Sequence, residues 1–555
     1  MPDGSETEWQ FDALDLRAVV RWLDQEANGA RAGSVAAVPA ASLNQVDLYL
    51  DTEDRRFHRA GYSLRVRRAG RPRAAEATLK SLESVSSAAD GGLRRRREVS
   101  EGLERPDLVY LGRAEGAVGE RVRAVAGRKR LAPLFEVRTR RRVFLLQRGG
   151  RECGEIALDE TAIHPVSGET PARLRRVEVE VPEEAAPTLE PFVERLRVAC
   201  GLQAAGLSKY EAGLLVAGLQ PPPTEDLGPT EIDPDQTIGE VALAVVRRHF
   251  EALLAREAGT RLGDDVEELH DMRVANRRLR ASLSLFADVL PAGVLALRDD
   301  LRWLGAALGD VRDLDVQLER LEQWNAGADR SDADALRGLR LLLEDQRRSA
   351  RASMLEVLDS RRFALFVSRF RRTLRARHVR RSGPASLPAR GVAPDLLERR
   401  LRRFRNRAER IGPDSPASAY HRLRIDAKNL RYALEFLADV YPGRRRRLIE
   451  RLGELQDILG LHQDAEVAHE RLSLLARENG GELRAETIFA MGEIAERYSH
   501  SMAALRAEFP AAYARTKGKS WRAFLKRIEA ERPSVDRPPA IVGHGDVADH
   551  AEEAA

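Results

Sequence analysis

Cysteine is almost absent from the sequence, since Cys153 and Cys200 are the only two among 555 residues. Two cysteines cannot form a disulfide framework or a zinc site of the usual kind, and they suit a reducing compartment. No apolar run approaches the length of a membrane span, and the acidic N-terminus lacks the apolar segment of a signal peptide. These absences predict a cytoplasmic protein with no membrane partner.

Aromatic residues and lysine are also scarce. Aromatics make up 5% of the chain, and its basic segments lack the interleaved aromatics on which single-strand readers stack bases. This argues against nucleic acid as the partner. About seven of the 92 cationic residues are lysine. The others are arginines, whose planar guanidinium fits phosphate oxygens. The net charge is only +5, so function depends on where the charge is placed.

Two matching segments organise the second half of the chain. HDMRVANRRLR begins at residue 270 and HRLRIDAKNLR at residue 421. Each is followed by a second shared segment, LGAALGDVRDLDV from 304 and LQDILGLHQDAEV from 455. Both pairs are offset by 151 residues, so about fifty residues align without a gap. The pattern indicates an internal duplication.

Each copy places four ionic side chains at i, i+3, i+7 and i+10, which is one face of a helix. The residues are His270, Arg273, Arg277 and Arg280 in the first copy, and His421, Arg424, Lys428 and Arg431 in the second. Because stacked like charges repel, a duplicated basic stripe predicts a polyanionic ligand. Two alternatives remain open: a solvated charged face, and neutralisation by the nearby carboxylates Asp313, Asp315 and Asp464.

On these residues, the region 237–510 resembles a CHAD domain, an all-helical, internally duplicated family. The resemblance implies a helical bundle whose basic surface binds inorganic polyphosphate, with the eight stripe residues as ligands. It divides the region into repeats at about 237–380 and 392–510. The second copy departs in having Gln463 where the first has Arg312. The two histidines would donate hydrogen bonds to phosphate, or else would only pack helices together.

Residues 1–215 alternate apolar and ionic residues with the period of two that β-strands show. Strand side chains alternate sides, so each ionic set shares a face. These sets are Arg65 with Arg67; Glu76 with Lys80; Arg138, Arg140 and Arg142; Glu178 with Glu180; and Glu6 with Glu8. An ordinary antiparallel sheet with one wet face gives the same alternation. However, acidic and basic sets occupy separate strands, as a site for metal ions and phosphates requires.

This region resembles a CYTH domain, the triphosphate tunnel metalloenzyme fold, across nearly all of 5–212. The motifs that match are ETE at 6–8, YLDT at 49–52, SLRVR, TLK at 78–80, REV at 97–99, the basic strand at 138–142, LDE at 158–160, VEVEV at 177–181 and SKY at 208–210. The resemblance implies an eight-stranded antiparallel β tunnel that hydrolyses inorganic triphosphate. It implies Mg²⁺ or Mn²⁺ as the cofactor.

By the same resemblance, tunnel residues fall into three sets. The implied metal ligands are Glu6, Glu8, Asp159, Glu178 and Glu180. Lys80, Arg65 and Arg67 would act in catalysis. Arg97, Arg140, Arg142 and Lys209 would bind substrate.

Gln10 departs from the family's opening ExExK motif, in which a lysine is expected at this position. A lost oxyanion-type donor can cost on the order of 3 kcal/mol in a transition state. A non-catalytic polyphosphate-binding protein, targeted to polyphosphate granules, therefore stays open as the alternative. Cyclisation of ATP, known among relatives of the fold, is another, although no adenine-binding feature is evident.

The sequence thus predicts an α+β protein with two domains. A CYTH-like domain at 1–215 is followed by a linker at 216–236, the CHAD-like domain at 237–510 and a disordered tail at 530–555. The tail histidines His544 and His550 are interpreted as incidental rather than as metal ligands.

Overall fold

The fold was analysed in a computed structural model of the chain. The structure describes residues 4–28, 34–69, 74–82, 92–105, 107–168, 170–220, 225–326, 330–375, 383–441, 446–481 and 483–533. His544 and His550 lie outside the described residues. The chain divides into a barrel unit, residues 1–225 with 258–264, and a helical unit, residues 226–257 with 265–555.

The barrel unit is built on one antiparallel sheet. Its strands are β1 Gly4–Asp12, β2 Val35–Thr52, β3 Tyr62–Ala69, β4 Ala74–Ser81, β5 Leu93–Leu103, β6 Leu131–Arg148, β7 Arg151–Pro165, β8 Ala172–Val181 and the short β9 Gln203–Ala204. The order is β5-β4-β3-β2-β6-β7-β8-β1, and β1 also pairs with β5. Eight of the described strands therefore close into a barrel, while β9 extends the sheet beside β1. Closure leaves these eight strands without a free edge.

The apolar faces of the barrel strands point outward, toward covering helices. These helices are α1 Leu16–Asn28, α2 Arg56–Arg59, α3 Leu108–Leu111, α4 Ala117–Ala126, α5 Ala186–Cys200, α6 Lys209–Val216 and α8 Glu257–Leu262. One cluster packs Phe11, Leu158 and Val179 against α1 and α5. A second cluster packs Leu64 and Leu79 against α4. These two hydrophobic cores thus lie outside the barrel.

The opposite faces of the strands line the interior, here called the lumen, and they are strongly ionic. On β3, Leu64 is fully buried in the outer core, whereas Arg65 and Arg67 on the other face pair with lumen carboxylates. The predicted eight-stranded tunnel is confirmed. The sheet therefore differs from one with a solvent-facing polar side, because its polar side is enclosed.

The helical unit contains the remaining described helices: α7 Ile238–Ala255, α9 Val266–Leu285, α10 Ala292–Leu295, α11 Arg298–Ala326, α12 Arg330–Asp359, α13 Arg361–Arg375, α14 Ala389–Ala408, α15 Ala417–Phe436, α16 Arg446–Glu478, α17 Ala485–Thr516 and α18 Lys519–Ala530. Thr237 caps α7 by accepting from the backbone N–H of Glu240, whose carboxylate accepts from Thr237 in return. None of the described helices is both long and apolar enough to cross a lipid bilayer.

The duplication is visible in the helix bounds. α7 and α14 begin 151 residues apart, and α9 and α15 both begin and end 151 residues apart. Both copies share one apolar core, to which Met272, Leu279, Leu423 and Leu430 contribute from equivalent faces. The predicted all-helical, duplicated domain is confirmed. Its two basic helices are thus held by the same packing.

Residues 258–264 complete the outer core of the barrel unit. Leu262 is 5% exposed and packs with Leu64, Val66 and Leu79. We expect Leu262→Ala to lower the free energy of unfolding by roughly 2–5 kcal/mol, because it opens a cavity in this cluster. Urea unfolding of the full chain measures the loss. Leu215→Ala is the control, since Leu215 is 68% exposed and its loss should change little; equal effects would contradict the packing assigned to Leu262.

Candidate functional site

The lumen of the barrel receives most of the residues that the sequence singled out. Strand alternation places nine of them on inward faces or at its closed end: Glu6, Glu8, Arg65, Arg67, Lys80, Asp159, Glu178, Glu180 and Lys209. Their outward neighbours on the same strands, such as Trp9, Leu79 and Val179, belong to the apolar clusters. The apolar packing outside the barrel therefore fixes which charged side chains face inward.

Lys80 forms the centre of one charge cluster. Its ammonium donates to Glu6 and, at 2.9 Å, to Glu8, and lies 3.5 Å from Glu98. Burial opposes the charge of Lys80, but the three carboxylates outweigh it and raise its pKa above the ordinary value. Burial and the neighbouring Glu8 raise the pKa of Glu6 to about 8. Carboxylates therefore exceed cations in this part of the lumen.

Another carboxylate, that of Asp47, binds the arginines of β3. Asp47 on β2 is 1% exposed and accepts two hydrogen bonds from Arg67, at 2.8 and 2.9 Å. Arg65 lies 3.8 Å from Asp47 and 3.4 Å from Glu98. These pairs hold both guanidinium groups inside the lumen. Neither Asp47 nor Glu98 was identified from the sequence, although Asp47 lies on the same strand face as Tyr49, two residues later.

Across the lumen, Arg141 and Lys209 bind two of the other predicted acidic residues, Asp159 and Glu178. Arg141 donates to both oxygens of Asp159 at 2.9 and 2.7 Å, and also to Glu178. Lys209 contacts Asp159 at 2.5 Å and Glu178 at 2.9 Å. These cations hold the pKa of Glu178 well below its usual range, against the effect of burial. Asp159 and Glu178 are thus already neutralised by protein cations.

Three predicted substrate ligands lie on the outer face of the barrel. On β6, Arg140 is exposed and Arg142 pairs with Leu158 of the outer core, whereas Arg141 faces inward. On β5, Arg97 is exposed on the face opposite Arg96, which is 7% exposed. Both segments contain consecutive arginines, so alternation alone could not identify the inward residue. The partner strand identifies it, since Arg141 stands directly across from Asp159.

Arg96 is a buried cation for which the described residues supply no bonded partner. It stands across from Glu6 on β1, but its guanidinium makes no hydrogen bond or ion pair with any residue that the structure describes, and its Nε is buried. An unpaired charge in a low-dielectric interior is costly. Arg96 therefore marks a position where a bound anion would stabilise the lumen.

Gln10 occupies the place at which the family motif has lysine. Its amide nitrogen donates to Glu8 at 2.8 Å, to the same oxygen that accepts from Lys80. Its amide oxygen is buried and has no hydrogen-bond donor among the described residues. Gln10 thus keeps the hydrogen bond to Glu8 but supplies no charge.

The lumen has the ligand chemistry of a magnesium or manganese site, since carboxylate oxygens suit both ions. Burial and the neighbouring Glu155 and Glu8 raise the pKa of Glu180 to about 7. A divalent cation would relieve this repulsion between carboxylates. Within the part of the chain that the structure describes, no three Asp, Glu, His or Cys side chains converge as a metal-binding group. The carboxylates are ligands of the type that these ions prefer, but the Lys80 ammonium is bonded to both Glu6 and Glu8.

Aromatic packing closes one end of the lumen. Tyr49 stacks on Phe135 with ring centroids 4.9 Å apart, and Tyr210 of α6 packs against both rings. Ser208 and Glu211 form a capping box at the start of α6. The cap fixes α6 so that Lys209, its first residue, reaches Asp159.

In the helical unit, the two basic stripes meet at Tyr432. Arg277 of α9 donates to the Tyr432 hydroxyl at 2.9 Å, and Arg431 lies over the Tyr432 ring at 5.7 Å. All eight stripe residues are partly exposed. Arg273 lies against Gly309 and Arg424 against Gly460, positions that are again 151 residues apart. Tyr432 therefore brings the two stripes together, and their eight residues are here called the stripe surface.

The two stripe histidines have different surroundings. His421 Nδ1 lies 2.7 Å from the side-chain oxygen of Gln463, which accepts its proton. Burial and the Arg312 guanidinium lower the pKa of His270. The Arg312/Gln463 difference between the copies thus gives the histidines different neighbours.

Two stripe cations pair with carboxylates among the contacts described. Asp313 binds Arg273 at 3.0 Å, and Glu435 binds Arg431 at 3.4 Å. Asp315 binds Arg347, and Asp464 binds Arg320, neither of which belongs to the stripes.

Comparison with known proteins agrees with this architecture. Residues 21–213 match the model of the CYTH domain and residues 244–473 that of the CHAD domain. No curated protein matches the chain. Similar solved structures include the CHAD domain of the plant Ricinus communis, with 29% identity over 51% of this chain and 95% of that one and a TM-score of 0.43. PptA from Streptomyces chartreusis is 21% identical over 50% of this chain and all of its own, with a TM-score of 0.42. HpAC1 from Hippeastrum, described as having a dominant triphosphatase activity, is 18% identical over 39% of this chain and 98% of its own, with a TM-score of 0.30.

His462, next to Gln463, gives a pH-dependent prediction. It is 1% exposed and accepts from Arg506 at 3.0 Å, and burial with Arg506 lowers its pKa to about 4. Between the ordinary pKa of 6.5 and 4, the unfolded chain binds this proton and the folded chain does not. We therefore expect the residue's contribution to stability to be present above pH 6.5 and to fall by up to roughly 1.4 kcal/mol per pH unit toward pH 4.

His462→Val tests this expectation, because Val311 occupies the equivalent position in the first repeat. Urea unfolding of wild type and variant at pH 7, 5.5 and 4.5 should give curves that converge as the pH falls. Curves that stay parallel over this range would contradict the buried, neutral state assigned to His462.

Proposed function

Because the chain carries a CYTH domain followed by a CHAD domain, we propose that it hydrolyses inorganic triphosphate in the lumen and binds polyphosphate on the stripe surface. The hydrolysis adds one water molecule across the terminal P–O–P bridge and releases orthophosphate and pyrophosphate. The observation that carries the proposal is the buried Arg96, which makes no hydrogen bond or ion pair with a described residue and lies among lumen cations from several strands.

The lumen residues would position the phosphate chain. Arg65, Arg67 and Lys80 on one wall and Arg141 and Lys209 on the other face the same enclosed space. A linear triphosphate between the walls would exchange its oxygens for carboxylates that now hold these cations. Charge-assisted hydrogen bonds from fixed donors orient the terminal phosphoryl group and stabilise charge that develops during attack.

The metal is Mg²⁺ or Mn²⁺ in this proposal. A bound divalent ion polarises a phosphoryl oxygen and lowers the pKa of a water molecule. Glu6, Glu8, Glu178 and Glu180 would hold it, with Asp159 as a further candidate. Glu6 and Glu180 have raised pKa values, to about 8 and about 7. Closure of the lumen by the aromatic packing around Tyr210 would limit access of other water.

Phosphate release from tripolyphosphate, with Mg²⁺ or Mn²⁺, tests the enzymatic half. Arg96→Gln should lower kcat/KM at least tenfold, which is about 1.4 kcal/mol of lost transition-state stabilisation. The variant should unfold at a temperature no lower than wild type, because Arg96 makes no hydrogen bond or ion pair with a described residue. Arg173→Gln, an exposed substitution on β8, should leave kcat/KM unchanged.

The same assay with ATP, thiamine triphosphate and long-chain polyphosphate defines the substrate class. Activity that is insensitive to Arg96→Gln would place the reaction outside the lumen. No turnover of any substrate with either ion would favour the non-catalytic alternative.

That alternative, a polyphosphate-binding protein with an inactive lumen, is supported by Gln10. An uncharged amide stands where the family motif has lysine, and it is bonded to Glu8. Under this alternative, the stripe surface would carry the function alone and could attach the protein to polyphosphate granules.

Binding of labelled long-chain polyphosphate tests the stripe surface. Arg277→Ala and Arg431→Ala should each weaken binding, and each should reduce the salt dependence of log Kd by about one unit of slope or less, because each removes one phosphate contact. Arg348→Ala is the control, since Arg348 lies on α12 and its side chain is 74% exposed. An equal loss in all three would indicate non-specific attraction. Competition by DNA at matched salt distinguishes polyphosphate from nucleic acid as the ligand.

A further inference from the structure

A cavity of about 420 Å³ lies between α11 and α12 in the helical unit, and it is here called the hairpin cavity. Four leucines, two glutamates, two arginines and one asparagine line it. Its volume is that of a site for a small organic molecule. None of its lining residues belongs to the stripe surface or to the lumen, so neither proposed activity uses it.

The leucines give the hairpin cavity an apolar wall. They are Leu318 and Leu321 of α11 and Leu336 and Leu341 of α12. Leu321 and Leu336 are each 6% exposed and belong to the core that α11 and α12 share with α16 and α17, so packing fixes this side of the cavity. Leu341 is 59% exposed. An apolar ligand would cover this surface and remove it from water.

The charged side chains of the hairpin cavity differ in their partners. Arg340 lies 3.8 Å from Glu322 and 2.8 Å from Glu344, so both carboxylates already have a cation beside them. Arg337 makes no hydrogen bond or ion pair with a residue that the structure describes. Among the described lining residues, a cation is therefore available to a ligand, whereas each carboxylate is engaged.

Asn325 lies level with Arg337 at one end of the cavity. Because three residues join α11 to α12, the two helices run antiparallel. Arg340 reaches Glu322, so three residues further toward the connection on each helix Arg337 comes level with Asn325. The Asn325 amide also makes no hydrogen bond with a described residue. Two hydrogen-bond donors thus stand at this end, and the apolar wall extends from it toward Leu318, about 10 Å along α11.

We propose that the hairpin cavity binds a small amphipathic acid, with its carboxylate at Arg337 and Asn325 and its alkyl chain along the four leucines. A guanidinium and an amide both donate to carboxylate oxygens, and the hydrogen bond from the guanidinium is charge-assisted. A cationic head group would be repelled by Arg337, and a neutral one would lack the charge-assisted bond. The site is independent of triphosphate hydrolysis and of polyphosphate binding.

Titration calorimetry of the full chain with decanoate, below the concentration at which decanoate forms micelles, measures this binding. Decylammonium and decanol have the same chain with a cationic and a neutral head, and decanoate should bind at least tenfold more tightly than either. Butanoate keeps the carboxylate but is too short to cover the leucines, so it should also bind at least tenfold more weakly than decanoate.

Two variants, each with a matched control, test the two ends of the cavity. Arg337→Gln should weaken decanoate binding at least fivefold, whereas Arg348→Gln, which removes the same charge from an exposed position on α12, should not. Leu341→Asp should weaken binding at least tenfold, because it places a carboxylate beside the alkyl chain. Leu365→Asp is its control, since Leu365 of α13 is likewise an exposed leucine. All four variants should unfold at the temperature of wild type.

A decanoate with a photoreactive diazirine at the end of its chain locates the site. Peptide mapping after irradiation of the full chain should find the label on α11 or α12. Labelling elsewhere only, no decanoate binding by wild type, equal affinity for the three head groups, or equal affinity of Arg337→Gln and Arg348→Gln would each overturn the proposal. Decanoate binding in a protein that hydrolyses no tripolyphosphate would support this site and contradict the enzymatic proposal alone.

Discussion

The requirement that enclosed charges be paired governs the barrel unit. Closing a sheet turns one face of every strand into an interior, and charged side chains on that face lose contact with bulk water. Three groups of ion pairs meet the requirement. Asp47 of β2 binds Arg67 and lies near Arg65 of β3. Lys80 binds the carboxylates of β1 and β5, while Arg141 and Lys209 bind those of β7 and β8. The register of the strands sets these pairs, so the same hydrogen bonds that close the barrel also compose the site.

The sequence predicted the inward face of a strand correctly where the two faces differ clearly in polarity. On β1, β3, β4 and β8, ionic residues alternate with strongly apolar ones, and the apolar ones must meet the covering helices. On β5 and β6, runs of consecutive arginines leave no such contrast. Which arginine faces inward then depends on the partner strand, as Asp159 shows for Arg141. That pairing is a long-range property, and a single strand cannot reveal it.

The helical unit illustrates a similar division. The 151-residue offset predicts equivalent helices, and α9 and α15 share it at both ends. The contact that joins the two stripes could not be predicted in this way, because Tyr432 has Ala281 as its counterpart. Only one copy supplies the ring that contacts Arg277 and Arg431. Duplication therefore fixes the scaffold, whereas the junction of the stripe surface arises from a difference between the copies.

Gln10 fits a lumen that has lost its activity, and it also fits an active lumen whose charge is balanced in another way. The charged lumen groups that have no bonded partner among the described residues help to distinguish the two. A lumen with no ligand would be more stable with Arg96 replaced by a neutral residue, since a buried charge without a partner destabilises the free protein. Arg96 makes no hydrogen bond or ion pair with a described residue, and Glu155 stands directly across from Glu180 in the strand pairing. An anion near Arg96 and a cation near Glu180 would relieve both costs at once. Under the proposed function, metal-bound phosphate would supply this combination of charges.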